Sequence, residues 1–226
     1  MLLAIDTCAS LCAASVSDDG AELGRCVRDI GTGHAEQLMD VIAEALSAAG
    51  RAYRDITGIA VAVGPGSFTG IRVGVSTARG LALALKVPST GVGTLDAIAG
   101  ETQALFPGRS LVVAIDARRE EVYTAAWDAD GALVAPPAVT GLDDAVALTA
   151  SLVDPVLAGS AAPALIAAAG GAHDVASTLA TADIAAYARL AARRGFSGER
   201  PKPLYLRPPD AKPQASFVLP RREDGQ

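Results

Sequence analysis

Two short apolar strands that each end on an aspartate set the frame for this chain. Leu2-Leu3-Ala4-Ile5-Asp6 opens it, and Leu111-Val112-Val113-Ala114-Ile115-Asp116 recurs near its middle. After each, the pattern changes to strand, turn and strand. The first half has residues 13–16, "SDDG" and residues 21–27; the second has "EVYTAAWD", "DADG" and "ALVAP". A strand, a terminal carboxylate and a hairpin, met twice in one order, predict a duplicated α/β lobe rather than two unrelated domains. The 226 residues suffice for two such lobes with real cores. Lobes are expected at 1–104 and 105–208, followed by an irregular tail at 209–226.

Between the repeats, "GTGHAEQLMDVIAEALSAAG" predicts a helix over 34–48, bounded by glycines, with Leu38, Val41, Ile42 and Ala45 on one stripe. Residues 56–63 read as a buried strand, 64–66 as a turn and 69–85 as a second helix. Lys86-Val87-Pro88 ends that helix, and "TLDAIAG" starts a third, short one. Beyond Pro136 alanine dominates, with a strand expected at 156–158 and a helix over about 182–194. From Glu199 onward the chain is rich in proline and charge, which predicts irregular or frayed structure.

The helix at 69–85 carries polar side chains only at Thr69, Arg72, Ser76, Thr77 and Arg79. A helix apolar around most of its circumference must be buried on several faces, more than one lobe is expected to cover. His34, Leu38, Val41, Gly70, Val73, Gly74, Val75 and Ala78 are therefore expected to form a helix-on-helix partner surface. Gly70, Gly74 and Ala78, at four-residue spacing, would let backbones approach there.

The stretch "AVGPGSFTGIRVG" (62–74) has the outline of a phosphate loop but lacks its chemistry. A Walker A loop needs a lysine to neutralise phosphates, and the nearest is Lys86, at the far end of the next helix. A dinucleotide fingerprint fails as well, because Thr69 stands at the third glycine position. Asp6, Gly64, Gly66, Ser67, Thr69, Arg72 and Asp116 are thus expected to make structural turns or, at most, a weak anion site on helix-start amides. In sugar kinases and actin-like ATPases the strand-terminal aspartate precedes a glycine-containing phosphate turn. Here Asp6 precedes Thr-Cys-Ala-Ser and Asp116 precedes Ala-Arg-Arg-Glu-Glu, so side chains would crowd a phosphate.

Other chemistries find little support. His34 and His173 have no second histidine at i+4, and the three protein ligands of a catalytic zinc are not apparent. Cys8, Cys12 and Cys26 are odd in number and lack zinc-ribbon spacing, which suits buried thiols of a reduced, cytoplasmic protein. No apolar run reaches the roughly 18 residues of a membrane span. The first residues lack a basic region and carry Asp6 early, unlike a signal peptide. A net charge of -6 with scattered arginines disfavours tight nucleic-acid binding by this chain alone.

"LLAIDTCAS", "HAEQLMDVIAEAL", "GPGSFTGIRVGVSTARGLALAL", "GVGTLDAIA" and "VVAIDARREEVYTAAWD" together resemble the TsaB (YeaZ) family of tRNA threonylcarbamoyladenosine biosynthesis proteins. The likeness covers most of 1–128 and recurs weakly at "PLYLR" (203–207), while 136–200 matches by order and length only. It implies an actin-like, RNase H-like (ASKHA) α/β fold with two related lobes. It also implies a non-catalytic subunit, without cofactor or metal, that pairs with the larger paralogue TsaD. That paralogue transfers threonylcarbamoyl to a tRNA adenosine next to the anticodon, holds its metal through paired helical histidines, and is joined by the ATPase TsaE. The resemblance further implies tRNA contact only through the complex, and a homodimer in isolation. Two rival readings stay open. A free-standing, glycoprotease-like hydrolase would need a nucleophile or metal set, and a small actin-like kinase is opposed by both aspartate turns.

Overall fold

The computed structural model describes residues 1–170 and 173–207. Its first half runs β1 (Leu2–Asp6), β2 (Leu11–Asp18), β3 (Ala21–Asp29), α1 (His34–Ala48), β4 (Gly58–Ala62), α2 (Phe68–Leu85), β5 (Ser89–Val92) and α3 (Thr94–Leu105). The second half repeats that order: β6 (Leu111–Asp116), β7 (Glu121–Trp127), β8 (Leu133–Gly141), α4 (Leu142–Ala150), β9 (Val156–Ala158), α5 (Ala162–Ala169), β10 (Val175–Ser177) and α6 (Ile184–Arg194).

The duplication extends to the pairing. One sheet has the order β3-β2-β1-β4-β5 and the other β8-β7-β6-β9-β10. In each, the hairpin strands pair antiparallel and the remaining pairs are parallel. This is the two-lobed actin-like architecture. Strand β6 shows how the period-2 pattern divides the interior. Leu111, Val113 and Ile115 join the large core between the sheets, whereas Val112 and Ala114 face a smaller core under α4 and α5.

The third helix of each half packs away from its own sheet. α6 lies on β1, β2, β4 and β5 of the first sheet, while α3 lies on β6, β7, β9 and β10 of the second. α1 and α2 cover the opposite face of the first sheet. A boundary near residue 104 therefore divides the chain by sequence but not by packing. Tyr187 of α6, fully buried, is among the largest side chains in the shared core.

Several expected elements keep their bounds, among them the helix over 34–48 and the strand over 156–158. α2 begins at Phe68 because the Ser67 hydroxyl accepts from Gly70 N–H, and the helix that "TLDAIAG" starts is α3, which continues to Leu105. β5, α4, α5 and β10 lie where no element was expected. The expectation of a frayed end from Glu199 is corrected for 199–207. Pro201 is buried, and Leu204 N–H donates to the Val63 carbonyl at 2.8 Å. The tail expected at 209–226 lies outside the described residues.

A fragment ending at residue 104 would keep the whole first sheet and lose the helix covering one of its faces. It is expected to show no cooperative thermal transition by circular dichroism, and to gain one when a peptide of residues 181–207 is added. A cooperative transition of the fragment alone would contradict the exchanged packing.

Candidate functional site

β4 runs out at Ala62, and the chain turns through Gly64, a cis Gly64–Pro65 peptide and Gly66 into α2. The concavity this turn makes is filled by the protein itself. Ser67 N–H donates to the Cys8 carbonyl at 2.6 Å, and the Thr7 hydroxyl donates to the Gly70 carbonyl at 2.7 Å. A Cβ on Gly66 would collide with the Cys8 carbonyl, and one on Gly70 with the Thr7 carbonyl, both well inside 3.0 Å. Gly74 leaves room in the same way for the Thr7 hydroxyl. These glycines seat the β1–β2 turn on the helix start, so an anion there would have to displace backbone. Thr69 points to solvent.

Arg72 turns away from the loop. Its guanidinium carbon lies 3.6 Å from the Phe68 ring centroid, and its Nε donates to the Tyr205 hydroxyl at 2.8 Å. The Phe68 and Tyr205 rings are 5.3 Å apart. Two residues on, Arg207 bonds the Ala117 carbonyl and pairs with Glu121 of the other lobe. The segment 199–207 is thus a strap from the glycine loop to the β6–β7 turn. Only the resemblance at "PLYLR" pointed to it, since an irregular strap has no periodicity to read.

Asp6 and Asp116 begin alike and end in different surroundings. Asp6 Oδ1 accepts from Cys8 N–H at 2.8 Å, and Asp116 Oδ1 from Arg118 N–H at 2.7 Å. Asp116 is exposed, whereas Asp6 is 1% exposed beneath α6. Burial raises the Asp6 carboxyl above its ordinary value, against hydrogen bonding from Cys8, Tyr187 and Thr181. Burial, together with the Asp6 charge, pushes both the Cys8 thiol and the Tyr187 phenol well up. Cys8 is therefore a neutral, inert thiol rather than a nucleophile. The Tyr187 and Thr94 hydroxyls have no well-formed hydrogen bond among the described residues.

Beside this cluster a cavity of about 290 Å³ opens between the lobes, with Asp6, Glu101 and Asp183 among its lining and no lysine or arginine. Carboxylates alone repel phosphate, and a carboxyl pushed toward its neutral form is a poor ligand for a divalent cation. Among the described residues, no group of three His, Cys, Asp or Glu is placed to hold a metal.

The expected partner surface needs correction. Leu38, Val41, Val75 and Ala78 are at most 2% exposed and belong to the core, and Gly70 and Gly74 are buried against Thr7. The first sheet alone covers that side of the helices, which the estimate of one lobe's capacity missed. His34 is also buried, its Nε2 3.1 Å from the Leu11 carbonyl, where it ties α1 to β2. Val73 alone of the eight is half-exposed. The outward sides carry Ala35, Met39 and Ala43 on α1, and Thr77, Gly80 and Ala84 on α2. Most of these side chains are small, so another helix could approach closely.

The family described as "TsaD: tRNA N6-adenosine threonylcarbamoyltransferase" matches residues 28–153. The Escherichia coli tRNA threonylcarbamoyladenosine biosynthesis protein TsaB is 36% identical over 132 residues, covering 57% of this chain and 55% of that protein. The chain thus matches about half the length of that relative. An uncharacterized Mycobacterium tuberculosis protein is 37% identical over 221 residues, 95% of each chain. The structure of YeaZ from Pseudomonas aeruginosa superposes with a TM-score of 0.73 at 26% identity, covering 91% of this chain and 99% of that one.

Gly70→Ala is expected to cost about 1–3 kcal/mol in urea unfolding, as an atom forced into packed backbone does. Gly80→Ala, where nothing lies within 4 Å of the new carbon, should be neutral or stabilising by up to about 1 kcal/mol. Equal effects would contradict the seating of the β1–β2 turn.

The sign at Asp6 is also testable. A raised carboxyl value means its contribution to stability is full below the ordinary range, about 3.9, and lost as pH rises through the folded value. Asp6→Asn keeps an acceptor for Cys8 N–H, so it should be at least as stable as wild type at pH 8, the margin shrinking toward pH 4. Lower stability of the variant at pH 8 would contradict this.

Proposed function

Because the chain belongs to the TsaD family of tRNA N6-adenosine threonylcarbamoyltransferases, in its TsaB/YeaZ branch, we propose that it is a non-catalytic accessory subunit in making threonylcarbamoyladenosine in tRNA. It supports a larger, catalytic TsaD-type paralogue, the ATPase TsaE joins that assembly, and the complex works in the cytoplasm. The observation that carries this reading is the glycine loop, which Thr7 and Cys8 fill by bonding to Gly70 and Ser67. The acidic interlobe cavity and the buried, neutral Cys8 weigh against the kinase and hydrolase alternatives.

The docking surface that fits this role is the outward side of α1 and α2. Ala35, Ala43, Thr77 and Ala84 present little bulk around the exposed Met39, which suits two helices of a partner. The same side serves a homodimer when the paralogue is absent, so the two assemblies compete. No helix among the described residues is long and apolar enough to cross a membrane.

Co-expression with the organism's TsaD-type paralogue and measurement of mass in solution test the role. Ala43→Arg and Thr77→Arg should leave the monomer folded and weaken association about a hundredfold, as burial of an unpaired charge would. Val75→Glu should instead unfold the chain, because that side chain is in the core. Undiminished assembly of both arginine variants would place the interface elsewhere, and failure of the wild-type chain to associate would overturn the role.

A further inference from the structure

On the side of α2 toward the strap lies an open groove of about 510 Å³, walled by the last turns of α2, the turn into β5, and residues 198–200. Three cations line it, Arg79 from α2, Lys86 from its C-cap and Arg200 from the strap, against one carboxylate, Glu199. Several other arginines are paired: Arg25 with Glu22 and Asp183, Arg28 with Glu44, Arg109 with Asp154 and Asp174, Arg194 with Asp96. The three groove cations have no hydrogen-bond or ion-pair partner among the described residues. In a chain of net charge -6, that is a local reversal of sign.

We propose that this groove binds the phosphodiester backbone of RNA, here the tRNA handled by the assembly, a step that rests on the accessory-subunit reading above. Arg79 on α2 and Lys86 at its C-cap are seven residues apart, about two helical turns, and both line the groove. That separation suits an extended polyanion better than one small anion. The groove floor at Gly80 is bare of side chain, with open space where a Cβ would be. The lining holds one strongly exposed apolar side chain, Leu83, against three cations, so charge dominates the recognition, and backbone phosphates are the ligand that such charge holds. Three contacts give weak binding by the isolated protein at physiological salt and a measurable increment within the complex.

The test measures tRNA affinity by fluorescence anisotropy against KCl concentration, for the wild type and for a variant carrying Arg79→Glu, Lys86→Glu and Arg200→Glu. In the reconstituted complex the variant should lose at least tenfold in affinity near 100 mM salt. The slope of log affinity against log salt should become shallower by about 2–3, with assembly mass unchanged. An Arg51→Glu, Arg54→Glu variant, which reverses two charges at positions that do not line the groove, should retain the wild-type slope. The isolated wild-type chain should bind tRNA in about 20 mM salt, and the groove variant should not. An unchanged slope, an equal loss in the control, or no binding by the isolated chain at low salt would each overturn the proposal. Loss of assembly in the groove variant would also overturn it, by marking the groove as a protein-docking surface. Failure of the wild-type chain to assemble counts against the accessory role instead, while the isolated-chain measurement still reads the groove.

Discussion

The contact between the β1–β2 turn and the start of α2 organises the first lobe. Thr7 and Cys8 follow the strand-terminal aspartate, and two hydrogen bonds lock them to Ser67 and Gly70. The contact exists because Gly66, Gly70 and Gly74 have no Cβ, and any side chain there would push the turn off the helix. Once it forms, the position of α2 on the sheet is set, and the Ser67 and Gly70 amides at the helix start are committed to protein rather than ligand. A loop with the outline of a nucleotide site has become an internal joint.

The second organising feature is the exchange of third helices. α6 lies over the first sheet and closes above Asp6, burying a carboxyl, a thiol and the Tyr187 phenol together. The cost of ionising any of them there keeps the cluster toward its neutral forms. The strap adds a covalent continuation of α6, which reaches the glycine loop at Leu204 and the other lobe at Arg207. Packing and polarity at the lobe junction thus disfavour phosphate, while cations lie outside it along α2 and the strap.

Much of the fold was legible, and the gaps have identifiable causes. The repeated "AID" strands gave away the duplication because a run of branched apolar residues ending in a carboxylate is unlike anything near it. α5 was hidden because it is largely alanine, which marks no face, and α4 because it is only nine residues long. β8 passes through Pro136 and Pro137, tolerable because it is an edge strand, a fact that pairing reveals and sequence does not. β5, "STGV", is too short and mixed to register. At the candidate site, the missing lysine was legible in the glycine loop, but the contact of Thr7 and Cys8 with Gly70 and Ser67 was not, because it joins residues about 60 positions apart. The inward side of α1 and α2 was misassigned, since Leu38, Val41, Val75 and Ala78 fit a partner or a sheet equally well. The groove cations stand far apart in sequence, so only folding brings Arg200 opposite Arg79 and Lys86.

The central claim is that this chain holds no nucleotide, because the β1–β2 turn fills its glycine loop and the cavity beside Asp6 is lined by carboxylates with no lysine or arginine. Calorimetric titration of the isolated protein with ATP and Mg²⁺, with phosphate release followed in parallel, tests it most directly. The account predicts neither stoichiometric binding nor turnover. Stoichiometric binding with phosphate release, both abolished by Asp6→Asn, would contradict it.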